Sequence, residues 1–288
     1  MLTHTPVLLE EVLTWLRPQP GGRYIDATFG AGGHTRALLE RTSPDGRVLA
    51  LDQDETAIER GRLDLQSFGS RIEFVKANFR NIATIAPDRG FSTPDGILAD
   101  IGVSSMMLDD ASRGFSFMRE GPLDMRMDRE QPLTAADVVN TYGEKQIANI
   151  IYELGEERRS RQIAASIVRS RPLTRTTDLT RAVERVMGGP RGRIHPATRT
   201  FQALRIFVND ELKSLETFLD SSMDLLGSGG RLVVVDFHSL EDRIVKNKFR
   251  AAPVPGTVLT RKVITAGDQE LKLNPRARSA RLRAWEKN

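Results

Sequence analysis

The chain has 288 residues, no cysteine, four histidines and a formal net charge of +4. That length predicts one large domain, or one carrying an insertion. The lack of cysteine excludes a disulfide framework and a thiolate metal site, and four scattered histidines give no reason to expect a metal centre. No basic start leads into an apolar run, and no stretch nears eighteen consecutive apolar residues. Neither a signal peptide nor a membrane span is expected, which suits a cytoplasmic enzyme.

Taken in order, Thr5 reads as the cap of a first helix, with Pro6 at its first position and Val7, Leu8, Val12, Leu13 and Leu16 on one face. Tyr24-Ile25-Asp26 reads as a strand ending in acid, followed by a glycine turn, Gly30-Ala31-Gly32-Gly33, and a helix over 34–41. Strand, glycine turn and helix form the first unit of a doubly wound sheet, whose ligand sits outside the carboxyl ends of the strands. Twenty residues past Gly32, a second strand ends in Asp52, the spacing of a carboxylate that takes both hydroxyls of a ribose. Packing alone would explain the glycines but not the acid at that distance. A dinucleotide fingerprint would need glycine where Thr35 stands, and a phosphate loop would need a lysine. An adenosine ligand without a pyrophosphate is left, and S-adenosylmethionine is the common one.

A helix over 55–68 and a third strand at Ile72–Val75 come next. Phe79 stands where an adenine would lie, able to stack on the base or to serve as an ordinary core aromatic. A fourth strand over 97–101 again carries an acid near its end, Asp100. Strand–helix alternation to this point predicts a mostly parallel sheet. It then stops for about a hundred residues. Residues 106–127 read as loop, helices are expected over 143–154, 156–170, 178–187 and 197–226, and 188–193 is a break. The sheet resumes over 231–237, Ser239 and Asp242 read as the capping pair of a further helix, and 258–265 with a last segment to Trp285 read as a closing antiparallel pair. The fold expected is α/β: a doubly wound, mostly parallel, Rossmann-like sheet over 1–107 and 206–288, with an all-helical domain inserted over 108–205.

Charge is unevenly placed. Residues 155–205 carry 12 arginines, no lysine and 4 acids, and residues 243–288 carry 12 basic and 3 acidic side chains, which leaves the rest acidic. Arginine used without lysine favours planar recognition of phosphates and stacking on bases, so a nucleic acid is the expected partner. Solvated helix faces usually mix signs and use lysine freely.

The chain resembles the bacterial ribosomal RNA small-subunit methyltransferase H family, also called MraW. The likeness rests on His4-x-Pro6-Val7-Leu8, the turn from Asp26 to His34, the run from Asp95 to Ser105, Arg113-Gly114-Phe115-Ser116-Phe117 and Pro122-Leu123-Asp124-Met125-Arg126-Met127. It continues through the run from His195 to Ile206, Phe237-His238-Ser239-Leu240-Glu241-Asp242-Arg243 and Asn274-Pro275-Arg276-Ala277-Arg278-Ser279. The resemblance implies a fold of the S-adenosylmethionine-dependent methyltransferase type. It also implies methylation of N4 of a cytidine in the decoding region of 16S rRNA, with free rRNA or the small subunit as partner. Cofactor contacts would fall on Gly32, Gly33, His34, Asp52, Phe79 and Asp100, and on Met107 where the family tends to have glutamine. Asp236 is a second departure, at a place where a small hydroxyl residue is more common.

An exocyclic amine is a poor nucleophile and needs an acceptor for its protons. Asp100 is the candidate, either for the N4 hydrogen bond or for the amino group of the cofactor's methionine. His238 is the second catalytic candidate, with a structural hydrogen bond as the competing reading. On the helix through 197–208, Ala197, Phe201, Leu204 and Val208 form a buried stripe, while Gln202 and Arg205, with Arg199 close by, are expected to face Asp100 and to grip RNA. Pairing of those arginines with Glu211 or other acids is the competing reading. A non-catalytic RNA-binding factor and a small-molecule methyltransferase are the rival functions, and a homodimer is left open.

Overall fold

The computed structural model describes residues 6–189 and 195–288; the expected cap at Thr5 and most of the expected break over 188–193 lie outside them. Two compact units are present, residues 1–102 with 212–288, and residues 103–211.

The first unit opens with α1 (Leu9–Leu16), which buries Val12, Leu13 and Leu16. It starts later than expected because Leu8 takes a left-handed conformation, φ 53°, and so stops the helix from reaching back to Pro6. Next come β1 (Arg23–Asp26), α2 (Gly33–Arg41), β2 (Arg47–Asp52) and α3 (Glu55–Asp64). A 3₁₀ segment over Gln66–Arg71, with Gly69 at φ 56°, replaces the last turn of the longer helix expected there. Then follow β3 (Ile72–Lys76), α4 (Ile82–Asp88) and β4 (Gly96–Asp100).

The second unit is helical: α5 (Ser105–Asp109), α6 (Ala135–Thr141), α7 (Glu144–Gly155), α8 (Ser160–Arg169), α9 (Thr176–Met187) and α10 (Thr198–Asn209). Its core gathers Leu123, Met125, Val138, Ile151, Ile167 and Leu204. The expected domain edge at 205 falls inside α10, because Phe201, Leu204 and Val208 are buried in one and the same cluster. The 197–226 helix is two helices. Asp210, at φ 49°, caps α10 before α11 (Glu211–Leu225) begins. The stretch over 106–127 is more ordered than a loop. Buried Arg113 donates to the carbonyls of Arg126 (3.0 Å) and Met127 (2.8 Å), and Asn209 accepts from Met127 N and donates to Met125 O, both at 2.8 Å.

The first unit ends with β5 (Arg231–Asp236), α12 (Ser239–Arg250), β6 (Gly256–Val258), α13 (Asp268–Leu273) and β7 (Arg281–Lys287). Strand order is β3-β2-β1-β4-β5-β7-β6. The first five strands run parallel, and β7 pairs antiparallel with both β5 and β6. The central strands are continuous apolar runs, as a sheet covered on both faces requires. Strand order reverses between β1 and β4, where a crevice opens at the carboxyl ends of such sheets. Among the described residues no helix is long and apolar enough to cross a membrane.

Candidate cofactor and catalytic site

The carboxyl ends of β1, β2 and β4 bring three acids together. Asp26 is buried, and burial pushes its carboxyl up, opposed by the Thr35 hydroxyl, which donates to it at 2.6 Å. The residue that breaks the dinucleotide fingerprint is therefore the one that satisfies the buried acid. Asp52 accepts from Gly30 N at 2.8 Å and Asp54 N at 2.9 Å. Burial pushes its pKa up to about 6, and those two donors hold it from rising further. Each of its oxygens keeps a lone pair, so the carboxylate can still take two hydroxyls.

Asp100 ends β4, and its backbone N donates to the Thr28 hydroxyl at 2.6 Å. Its Oδ2 lies 3.6 Å from His34 Nε2. Burial alone would push the His34 ring towards neutrality, but Asp100, with Asp26 behind it, holds its pKa above the usual value. Neither ring nitrogen of His34, nor Asp100 Oδ1, has a hydrogen-bond partner among the described residues, although all three atoms are buried. Buried polar atoms left unpaired are costly, so a group able to pair with them is missing from the protein alone.

The turn before α2 needs its glycines. Gly32 sits at φ 77°, and a Cβ there would come within 2.6 Å of the Phe29 ring; a Cβ on Gly33 would meet Pro6 Cγ at 2.2 Å. Phe79 follows β3 in a short 3₁₀ turn, half-buried, with its ring 5.0 Å from and edge-on to that of Phe218. An open backbone turn, a two-oxygen acceptor, a half-open aromatic ring and unpaired buried atoms fit an adenosine-containing cofactor whose far end carries polar groups.

The other expected site residues have the following surroundings. Met107 is 4% exposed in the apolar core of the helical unit, so its thioether packs among core side chains. His238 caps α12: its Nδ1 accepts from Glu241 N at 3.4 Å, its Nε2 lies 3.1 Å from Glu241 Oε1, and Glu241 Oε2 accepts from the backbone of Phe237 and His238. The expected cap, Ser239 with Asp242, is thus shifted by one residue to His238 with Glu241. On α10, Arg205 is closed on Glu211 by two bonds of 2.8 Å. Arg199, 55% exposed, donates to Glu156 O and lies 3.7 Å from Glu157, while Gln202 is half-buried. Thr35 and Thr28 escaped the sequence pattern; the one available signal was that both flank a glycine turn beside strand-end acids.

The model of the MraW methylase family matches residues 1–288. The Ribosomal RNA small subunit methyltransferase H of Nostoc sp. strain PCC 7120 is 51% identical over 290 residues, covering 100% of this chain and 93% of its own. The protein of that name from Geobacter sulfurreducens is 49% identical over 309 residues, covering 99% of each. The crystal structure of PH0851 matches with a TM-score of 0.50 at 14% identity, over 99% of this chain and 46% of that one, a likeness of fold alone. With a whole-length family match and relatives at about half identity, the chain belongs to the MraW methylase family.

Proposed function

We propose that this protein methylates the exocyclic N4 of a cytidine in the decoding region of 16S rRNA, acting in the cytoplasm. S-adenosylmethionine is the methyl donor and ribosomal RNA the substrate class, in keeping with the family and with the names of its relatives. The observation that carries the finer reading is Asp100, a strand-end carboxylate with one buried oxygen unpaired and the other near His34.

When bound, the cofactor supplies an electrophilic methyl group on sulfur. On this reading Asp52 holds its ribose, Gly32 and Gly33 let it approach the backbone, and Phe79 stacks on its base. Asp100 would accept an N–H of the cytosine amine, hold the nitrogen with its lone pair turned to the methyl group, and draw off that proton as the new N–C bond forms and the methyl–sulfur bond breaks. Holding the amine in line with the methyl group lowers the barrier most, by up to ~7–11 kcal/mol, and an aligned acceptor adds about 10²–10⁴-fold. His34, with Nε2 3.6 Å from Oδ2, keeps the Asp100 carboxylate oriented. Met107 and Arg205 are taken up by packing and pairing, and His238 caps α12 through Nδ1 while its Nε2 has no hydrogen-bond partner among the described residues; Arg199 and Gln202 are the better candidates for RNA and Asp100 for chemistry.

Nucleoside mass spectrometry of 16S rRNA from cells lacking the gene tests this directly. N4-methylcytidine is expected to vanish from the decoding-region fragment, and to return with the wild-type gene but not with Asp100→Asn. In single turnover, Asp100→Asn should lose more in rate at saturating cofactor than in cofactor affinity. Persistence of the modified nucleoside in the deletion strain sinks the proposal. Absent cofactor binding would favour an RNA-binding factor, and activity without RNA a small-molecule enzyme.

A further inference from the structure

The connection between β6 and β7, residues 259–280, carries five basic and two acidic side chains. One of the two acids, Glu270, accepts from Leu8 N at 2.8 Å. Arg261, Lys262, Lys272 and Arg278 are all exposed, and among the described residues the side chain of none of the four makes an ion pair or a hydrogen bond. In the arginine-rich helical unit Arg158, Arg161, Arg169 and Arg181 are likewise exposed, with no ion pair or side-chain hydrogen bond among the described residues, while other arginines there are used internally. Arg171 donates to Val139 O, Arg175 pairs with Glu120, Arg185 with the Ser170 hydroxyl, and Arg205 with Glu211.

The connection has a fixed backbone. Ile264 and Leu282 exchange two backbone bonds, at 3.1 and 2.8 Å, and Ala277 and Ala280 are fully buried. Its cations therefore stand on a scaffold ordered before any ligand arrives, which lowers the entropy lost on binding. The connection is also close to the candidate site. Glu270 holds the backbone at Leu8, two residues from Pro6, which packs against Gly33 of the glycine turn. Glu270 is near enough to His34 to help hold that ring's pKa up. Four uncompensated cations on an ordered connection whose Glu270 reaches the glycine turn match a polyanion in charge.

We propose that the β6–β7 connection is an RNA-gripping arm, whose Arg261, Lys262, Lys272 and Arg278 contact phosphates flanking the nucleotide that enters the site. The proposal rests on the reading of ribosomal RNA as substrate. A base to be methylated must leave its stack, and flanking phosphate contacts offset the cost of doing so.

The test is the full-length variant R261Q/K262Q/K272Q/R278Q, with R17Q/R41Q/R250Q as a control that removes exposed cations elsewhere on the same unit. Melting temperature and cofactor affinity are measured first, and both should match wild type. Affinity for a 16S decoding-region transcript is then measured against salt. The arm variant should bind at least tenfold more weakly at low salt, and its log–log salt slope should be shallower by about 2–3, each lost phosphate contact removing a little under one unit. Its KM for RNA should rise while kcat at saturating RNA stays within about twofold of wild type. An unchanged salt slope in the folded arm variant overturns the proposal, as does an equal change in the control. If the arm variant does not fold, R278Q and K272Q singly must each flatten the slope, or the proposal fails. Binding is read without turnover. An enzyme that grips RNA through the arm but leaves cytidine N4 unmodified would refute the proposed reaction and keep the arm.

Discussion

Asp52 and Asp236 are both strand-end acids with raised pKa values, and they differ in what surrounds them. Asp52 has two backbone donors, which keeps its pKa at about 6 against the pull of burial. If it holds a ribose, its ionised form is the better acceptor. Cofactor affinity should then be steady above pH 7 and fall as pH drops through about 6, by up to tenfold per unit. Asp52→Ala should cost about 1.5–3 kcal/mol of binding. Calorimetry across pH 5–8 checks both, and an Ala variant with wild-type affinity would move the ribose elsewhere. Asp236 is fully buried, and neither of its oxygens has a hydrogen-bond partner among the described residues. Burial first, then Glu241 and Asp242, push its pKa up to about 9, against the pull of Arg281 and Arg283. A raised carboxyl binds its proton more tightly folded than unfolded. The stability it contributes is therefore full below its ordinary 3.8 and is lost as pH rises towards about 9, at up to about 1.4 kcal/mol per pH unit. Asp236→Asn keeps the neutral shape, so its melting temperature should fall less than that of wild type as pH rises to 9. Parallel pH curves for the two proteins would show that Asp236 is already ionised in the fold.

At the scale of an element, α10 separates the two readings of its arginines. Arg205 and Glu211 are 15% and 10% exposed and joined by two short bonds, so removing the arginine strands a carboxylate away from water. Arg205→Ala should destabilise the protein by about 3 kcal/mol. It should leave the salt dependence of RNA binding at its wild-type slope, because its charge is already neutralised at home. Thermal melting alongside RNA titration checks this, and a folded, stable variant with a shallower slope would return Arg205 to the RNA contacts. Arg199 is the better test of the RNA reading, being more than half exposed. Spacing along the chain marked both residues as one side of a helix. The acid that claims one of them lies past the left-handed Asp210, where the sequence pattern reads as helix throughout.

For the whole molecule, the alternation of strands and helices up to Asp100, the helical stretch that interrupts it and the return of a strand at Arg231 were legible in the chain. Local periodicity and glycine–acid punctuation are properties of neighbouring residues. The same holds for Gly32, Gly33, Asp52 and Asp100, whose spacing around strand ends needs no long-range contact to be seen. Other features depend on residues far apart in sequence. Thr35 breaks a fingerprint in the sequence and satisfies Asp26 in the fold, and His238, which the sequence leaves open between catalytic and structural, caps α12 with Glu241. Met107 was carried to the cofactor by a family position, while the apolar cluster of the helical unit claims its side chain. Charge counts marked both basic segments alike, yet only side-chain pairing tells which cations are already neutralised. Pattern within a few residues is enough to give the parallel sheet, the helical insertion and the acids at the strand ends. Which polar groups are satisfied and which wait for a ligand is set by the fold, because a hydrogen bond or an ion pair is a matter of distance in space.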